Sequence, residues 1–449
     1  MITKTVSHRS LSFCLAAWML AAFMAAPRFL LAQDEVLSLE DAIRQTLQAN
    51  EEALSADQRL VEANARLVRA RSFLWPSLNL SGTYTRRPFE VSRKVGDTEI
   101  TVQSYNAISG ASNLSLIVFD SQSIPALLQA RFGRRAEMAG VKESKRLLAF
   151  EVSNAYLSAL GMDQVLEASQ RRREYAQQSL EAARARHLAG IVSVNDVTRA
   201  ELEFATAEMG VTQVQGQVET AYLQLGHLLN GPLPKKLKTP DFLFQAAEEM
   251  PPPVEKLIAE AQSRRPDIQS LRWQSKAQKA LILEPIFKWF PSFTLTGQYR
   301  YTNEAGLTGR NFNWNVGMTM SWSLFDGFTR NADYGEQKAL AVQADLSLRA
   351  SLRKAELDVR DALVLLESQK AALKLARVAY EVAVRNAGET NELYRQGLSS
   401  ALQVADAIVS LFEANVEFVR ARYGLGVAYL NLEAALGLDP LGKEPDFEK

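Results

Sequence analysis

Cysteine and histidine are scarce in this chain of 449 residues, which has one Cys and three His. The single cysteine, Cys14, lies in an N-terminal apolar run, so the rest of the chain can form neither a disulfide nor a cysteine-ligated metal site. Beyond that run only His187 and His227 remain, and neither has a second ligand at metal-binding spacing. No phosphate-binding loop or paired-acid motif accompanies them. We therefore expect no catalytic residue, no metal and no cofactor.

Long apolar runs are also missing after the N-terminus. Lys4 and Arg9 precede an apolar run from Leu11 to Ala26, which is shorter than the roughly 20 residues that a membrane-spanning helix needs. This pattern predicts a secretory signal peptide over residues 1–32, with cleavage after Ala32. The remainder of the chain is expected to have no transmembrane helix.

An excess of charge of either sign is absent too. Lys and Arg together number 51, as do Asp and Glu. Removal of the signal peptide takes away Lys4, Arg9 and Arg28, which leaves 51 − 3 = 48 basic residues against 51 acidic ones. This balance gives no support to nucleic-acid binding.

What the chain does contain is a regular alternation of apolar and polar residues between Phe290 and Asp326. Large apolar residues and Gly alternate with small polar residues from Phe293 to Tyr301, and the alternation returns from Asn311 to Leu324. Strands in soluble cores usually stop near five or six residues. The length and the aromatic content therefore favour a membrane β-hairpin, with lipid on one face and water on the other.

A second copy of this hairpin lies earlier in the chain. WPSLNLSGTY, which starts at Trp75, matches FPSFTLTGQY, which starts at Phe290, at an offset of 290 − 75 = 215. The chain is thus predicted to be an internal tandem repeat with four membrane strands. The predicted lipid-facing residues of these strands are Leu78, Leu80, Leu114, Leu116, Leu295, Tyr299, Trp314, Met320 and Trp322.

Helical periodicity fills most of the remaining sequence. One helix is predicted from Leu39 to Phe73 and another from Val254 to Phe287, each ahead of a strand pair. Each strand pair is followed by a longer helix, from an N-cap at Ser123 to Gly190 and from Phe328 to Gly397, of about 100 Å. Apolar residues at alternating spacings of four and three indicate coiled-coil packing, and returning helices follow both glycines. The arginines from Arg171 to Arg173 are predicted to form a solvated helix face.

Proline separates the two repeats. Residues 230–253 hold six of the fifteen prolines, and we interpret them as a linker at the equator of the helices. The predicted domains are the signal peptide, a first repeat over 33–229, this linker, a second repeat over 254–436 and a C-terminal tail over 437–449.

Several motifs together resemble the TolC-like outer-membrane efflux family over essentially the whole mature length. They are the duplication, the strand starts PSLNLSGTY and PSFTLTGQY, the FDS and FDG junctions, the turn segments HLAGIVSVNDV and LYRQGLSSALQVADA, and the closing ARYGLGVAYLNLEAALG.

Four strands per chain leave open edges, which lipid does not tolerate, so the strands must be shared between copies. This reasoning alone allows two, three or four copies. The resemblance implies three, and hence a membrane α+β fold: a trimeric 12-stranded β-barrel continued by an α-helical coiled-coil barrel across the periplasm.

The resemblance also implies a function and partners. The expected role is a passive exit duct in the outer membrane for a tripartite efflux or type I secretion system. Its partners would be a periplasmic adaptor, an inner-membrane pump of RND, MFS or ABC type, and outer-membrane lipid. The alternatives are a periplasmic helical-hairpin adaptor, which would lack amphipathic strands, and an outer-membrane lipase, which would need a serine, histidine and acid constellation.

The helical turns are the predicted gate and adaptor contact. In the resembling family, acidic residues ring this end and a tyrosine helps to hold it closed; Asp196, Tyr394 and Asp406 match those positions. This sequence departs from the family pattern at Gln403, where an aspartate often stands, and at Ser399, where a latch arginine would stand; Arg395 is a candidate substitute for that arginine. Alternatively, Asp196 caps a helix. The hairpin tips predicted to contact the adaptor are Gly190, Ile191, Val192, Gly397, Leu398 and Ser399.

Overall fold

The computed structural model describes residues 36–96, 98–304 and 310–445, so the predicted signal peptide and its cleavage site lie outside the described residues. The helices are α1 (Leu39–Ala49), α2 (Glu51–Arg71), α3 (Ser123–Leu188), α4 (Val194–Leu229), α5 (Asp241–Glu248), α6 (Val254–Arg264), α7 (Pro266–Leu281), α8 (Leu283–Phe287), α9 (Thr329–Arg395) and α10 (Ala401–Leu436). The strands are β1 (Ser77–Arg86), β2 (Val91–Val95), β3 (Thr98–Gln103), β4 (Asn106–Phe119), β5 (Ser292–Thr302) and β6 (Phe312–Ser321).

Four of the strands form one antiparallel sheet in the order β1-β4-β5-β6. Strands β2 and β3 form a separate small hairpin in the loop between β1 and β4. Strands β1 and β6 are therefore the two edges of the main sheet, and within the described residues neither edge has a further strand beside it.

The register of this sheet brings the predicted apolar residues to one face. Residues that stand directly opposite each other in a sheet share a face. Leu78 pairs with Leu114, Leu116 pairs with Leu295, and Tyr299 pairs with Trp314. One face is thus apolar across all four strands, and the other carries mostly Ser, Thr and Asn.

The predicted end of the last strand at Leu324 is wrong. Strand β6 ends at Ser321, which pairs with Ser292, the first residue of β5. Beyond this pair no strand is left to accept the backbone hydrogen bonds. Trp322 therefore lies just outside the strand, and its indole N–H donates to the carbonyl of Trp289 at 3.1 Å.

The single helix predicted from Leu39 to Phe73 is two helices, broken at Asn50. Asn50 has extended backbone angles and ends α1, while its side chain accepts a hydrogen bond from the Glu52 N–H at 2.9 Å and so caps α2. Its amide also donates to the carbonyl of Leu228 at 3.0 Å. This tertiary contact fixes the break.

The helix predicted from Val254 to Phe287 is three helices. Pro266 begins α7, and because proline disfavours helical angles at the residue before it, Arg265 is not helical, with φ −52° and ψ 122°. Arg265 is buried and donates to Asp358 of α9 at 2.7 Å.

The two long helical hairpins are confirmed, but the predicted N-cap is wrong, because Ser123 is the first residue of α3 and Gln122 stands at the N-cap position. Helix α3 has 66 residues, which is about 100 Å at 1.5 Å per residue. Gly190 and Gly397 turn the chain with φ of 74° and 78°, left-handed angles that favour glycine. Among the described residues, no helix is both long and apolar enough to cross a membrane.

The main core lies where the two helical hairpins meet, at a level partway along them. Tyr156 and Leu157 of α3 are fully buried there beside Leu430 of α10. The segment predicted as a linker contributes α5, whose Leu243 is also fully buried, so it packs against the helices. The Tyr156 hydroxyl lies 2.6 Å from the carbonyl oxygen of Lys238 and accepts from the N–H of that residue, which holds the segment in place.

Candidate functional site

The two hairpin tips are built alike, each by a serine that caps the returning helix. Ser193 caps α4, and the carboxylate of Asp196 accepts from its N–H at 3.1 Å. Ser400 caps α10, and the Gln403 side chain accepts from its N–H at 2.9 Å. Asp196 and Gln403 thus occupy the same position of two capping boxes. This geometry agrees with the alternative interpretation that Asp196 caps a helix. Gln403 has the same capping contact at the second tip.

The other two gate candidates lie on α9 and α10. Asp406 is exposed in the second turn of α10, and it forms no side-chain hydrogen bond or ion pair with any residue that the structure describes. Tyr394 is half-buried in the last turn of α9. Arg395 is exposed and lies 4.0 Å from Glu392 of its own helix, so in this subunit it does not connect the two hairpins.

Arg186, which the sequence did not single out, connects them instead. Its guanidinium carbon lies 4.1 Å from the ring centroid of Tyr394, a cation–π contact between the first and the second helical hairpin. The same group donates to the Tyr394 carbonyl at 3.4 Å. No local signal marks Arg186, because its partner lies about 200 residues away along the chain.

A cavity of about 390 Å³ lies beside this contact, between α3, α9 and α10. Its lining combines the two aromatic rings of Tyr175 and Tyr394 with the two cations Arg186 and Arg395 and with apolar residues such as Ile408.

Arg172 forms a second contact between the hairpins, farther from the tips. It donates to Glu203 of α4 at 2.7 Å and lies 5.1 Å from the ring centroid of Phe412 in α10. The prediction of a solvated face from Arg171 to Arg173 is wrong for Arg173, which is half-buried with its Nε out of contact with solvent, and it is wrong for Arg172. The reason is that the ring of Phe412 and the carboxylate of Glu203 take it out of water together, while Arg171 stays exposed beside Glu167.

Glu433 is the most deeply buried carboxylate in the described part of the chain, with 4% exposure. It lies near the end of α10, and its Oε2 has no hydrogen-bond partner. It lines a cavity of about 150 Å³ together with Glu249 and Tyr429. Burial raises the pKa of Glu433 to about 7, although a hydrogen bond with Tyr429 opposes this rise; the negative charge of Asp439 adds to it.

The described residues contain no cluster of three or more His, Cys, Asp or Glu side chains that could hold a metal ion. The ring nitrogen Nδ1 of His187 lies 3.0 Å from the carbonyl oxygen of Val192, within the first hairpin turn. His187 thus has a structural contact in that turn.

The apolar face of the sheet has aromatic residues at both ends and aliphatic residues between them. Toward the loops lie Tyr84, Tyr299, Phe312 and Trp314, all exposed in the single subunit. At the other end, just outside the strands and toward the helices, lie Trp75, Trp289, Phe290 and Trp322, which are exposed as well. Leu and Met side chains fill the middle, which is the distribution of a membrane strand with two interfacial belts.

Comparison with known families supports this architecture. The family described as outer membrane efflux protein matches the chain in two stretches, residues 42–231 and 257–438. The outer membrane protein TolC of Escherichia coli is 22% identical over 380 residues, covering 82% of this chain and 75% of TolC. Nodulation protein T of Rhizobium leguminosarum bv. trifolii is 24% identical over 386 residues, covering 82% of this chain and 79% of its own.

Solved structures share the fold. The outer membrane protein VceC of Vibrio cholerae superposes with a TM-score of 0.71 at 18% identity, over 89% of this chain and 96% of VceC. The CmeC outer membrane channel of Campylobacter jejuni gives a TM-score of 0.75 at 16% identity, over 91% of this chain and 87% of CmeC.

Proposed function

Because this chain belongs to the outer membrane efflux protein family, whose members are channels of the outer membrane, we propose that three copies form the passive exit duct of a tripartite efflux or type I secretion system. Each copy would supply four strands to a twelve-stranded barrel and two helical hairpins to a tunnel across the periplasm. The two separate stretches that match the family support an internal duplication.

The four-stranded sheet carries this proposal. It has one apolar face and two free edges, and it stands at one end of helices that are about 100 Å long. A free edge in lipid leaves N–H and C=O groups without partners, each at a cost of several kcal/mol. Pairing β6 of one copy with β1 of the next removes both edges.

The hairpin tips are the proposed adaptor contact and gate. Ile191 and Leu398, which follow the two turn glycines, are 72% and 73% exposed. Apolar residues at the tips of long helices suit a helical partner such as a periplasmic adaptor, which would in turn connect to an inner-membrane pump. Asp196, Tyr394, Gln403 and Asp406 stand within about two turns of these tips, and threefold symmetry would arrange them in rings.

The alternative of a periplasmic adaptor is not favoured. A periplasmic adaptor would lack amphipathic strands, whereas this chain has a sheet with one apolar face and two aromatic belts. The relatives that match over most of this chain are also outer-membrane proteins by name.

Disulfide cross-linking tests the assembly, because the chain beyond Cys14 has no thiol of its own. Thr83→Cys in β1, combined with Asn313→Cys in β6, introduces one thiol on the polar face of each edge strand. Oxidation of the detergent-extracted double variant should give a covalent ladder that stops at three copies.

A matched control replaces the edge position by an inner one. Asn113→Cys lies in β4, between β1 and β5, and should give no cross-link between copies when it is combined with Asn313→Cys. A monomer without any cross-link, or a ladder that stops at two or four, would rule out the proposed trimer.

A further inference from the structure

Arg86 is the only charged residue on the apolar face of the main sheet, among the positions that the described register pairs. It is the last residue of β1 and stands opposite Asn106, the first residue of β4. Tyr84 and Ile108 occupy the next positions on the same face. An arginine at the loop end of a surface that is otherwise apolar needs a physical reason.

The guanidinium of Arg86 is held in place by its neighbours. Its Nη1 donates to Oδ1 of Asn106 at 3.0 Å, and the Tyr84 hydroxyl donates to the same oxygen at 2.9 Å. One hydrogen bond uses only a small part of the five N–H donors of an arginine. Arg86 is exposed and forms no ion pair with any described residue, so most of its donors face outward.

The adjacent arginine shows a different arrangement. Arg87 lies on the opposite side of the strand end and forms an ion pair with Glu304, using both of its terminal nitrogens. Glu304 also accepts from the Ser104 N–H at 2.7 Å. Glu304 is therefore neutralised by Arg87, and the positive charge of Arg86 stands on the apolar face without an acidic partner among the described residues.

The surface next to Arg86 toward the helices suits a hydrocarbon chain. Gly82 pairs directly with Gly110 on this face, and a Cβ added at Gly82 would meet no atom within 4 Å. Leu80 and Ile108 flank this shallow region and are exposed. The surface thus changes from a cation to an aromatic belt and then to an open apolar region. A lipid changes in the same order, from a charged headgroup through the interface to its hydrocarbon tail.

We propose that Arg86, positioned by Asn106, binds a phosphate group on the headgroup of an outer-leaflet glycolipid. A guanidinium matches a phosphate through paired N–H···O hydrogen bonds. The loops at this end lie away from the helices, so the outer leaflet supplies the lipid. A free phosphate ion would gain nothing from the adjoining apolar surface.

The proposed assembly would add a second cation, and to this extent the inference rests on the proposed function. Arg310 is exposed and stands two residues before β6. If β6 of one copy pairs with β1 of the next, Arg310 of the first copy and Arg86 of the second come to the same end of one seam. Two guanidinium groups per seam suit a headgroup with two phosphates.

The test is lipid retention measured by native mass spectrometry. Protein is reconstituted in nanodiscs of phosphatidylethanolamine that contain bisphosphorylated lipid A, dephosphorylated lipid A or phosphatidylglycerol, and is then released in detergent. The parent should retain bisphosphorylated lipid A, and Arg86→Gln should weaken this retention by about tenfold, the effect of one charge-assisted hydrogen-bond pair. Arg86→Lys keeps the charge but cannot form the paired N–H···O hydrogen bonds of a guanidinium. Its retention of bisphosphorylated lipid A should therefore lie between that of the parent and that of Arg86→Gln.

Arg300→Gln is the matched control, because it removes the same charge from the polar face of β5. It should retain lipid A like the parent. Equal retention of bisphosphorylated lipid A by Arg86→Gln and the parent would overturn the proposal. An equally large loss of phosphatidylglycerol retention in Arg86→Gln would overturn it as well. The same spectra give the number of copies, so a failure of the proposed trimer is read separately from a failure of the Arg86 site.

Discussion

At the scale of single residues, Arg184 and Arg186 differ in what they connect. Arg184 pairs with Glu201 at 2.7 Å inside the first helical hairpin, whereas Arg186 stacks on Tyr394 of the second. A cation–π contact contributes about 1 kcal/mol. If the tips form the gate, Arg186→Ala should raise the open fraction roughly fivefold in single-channel recordings, since 1.4 kcal/mol corresponds to a factor of ten. Arg184→Ala is the control and should behave like the parent; equal opening of both variants would contradict a specific role for Arg186.

Glu433 predicts a pH dependence at the same scale. Its folded pKa of about 7 lies above the ordinary value of 4.5, so the folded state binds the proton more tightly than the unfolded chain. The resulting stabilisation is fully present below about pH 4.5 and is lost as the pH rises through about 7. Relative to Glu433→Gln, which does not titrate, the parent should lose about 3 kcal/mol over this range.

Hydrogen exchange at the end of α10 measures this difference. Leu438 lines the same cavity as Glu433. In the parent, the protection of the amides near Leu438 should fall as the pH rises, after correction for the ordinary base-catalysed increase in the exchange rate. The same change in the Gln variant would show that another group is responsible.

At the scale of elements, the two faces of β6 should respond oppositely to charge. Val316 lies in the middle of the strand on the apolar face, and Asn315 precedes it on the polar face. Val316→Arg should hinder membrane insertion by about 2–4 kcal/mol, the cost of a cation at the bilayer midplane. Asn315→Arg should assemble like the parent. The yield of heat-resistant oligomer in outer-membrane fractions measures both.

The bounds of β6 also refine this expectation. Met320 stands one residue before the strand ends, close to the belt residue Trp322. Because the cost of a charge falls to about 0–1 kcal/mol near the interface, Met320→Arg should be milder than Val316→Arg. An equal effect of the two would place the membrane elsewhere along the strand.

At the scale of the whole molecule, the proposed duct carries opposite charges at its two ends. Arg300 is the only charged residue at the paired positions of the polar sheet face, and Asp406 is exposed near the tips. Three copies would turn each into a ring in a narrow aqueous space, where charge controls ion selectivity. Asp406→Asn should lower cation selectivity, and Arg300→Gln should raise it. Reversal potentials in a salt gradient measure both; unchanged potentials would remove these residues from the lumen.

Local patterns in the sequence determined the elements of this protein. Alternation with a period of two marked the strands and their common face. The absence of proline beyond the first turn, with glycine at 190 and 397, marked the long hairpins and their turns. These features depend on backbone geometry over a few residues. The break before Pro266 belongs to this class as well and could have been predicted, because proline excludes the helix at the preceding residue.

Only the tertiary structure decided which side chains meet. The break at Asn50 depends on a hydrogen bond to Leu228, the Arg186–Tyr394 contact joins different hairpins, and the burial of Glu433 depends on the segment around Glu249. Periodicity shows which side of a helix is apolar, but it does not show which residue of a distant helix stands at the same level. That level is set by packing between segments more than a hundred residues apart, which is why the position of the tips could be predicted from the sequence while the residue that joins them could not.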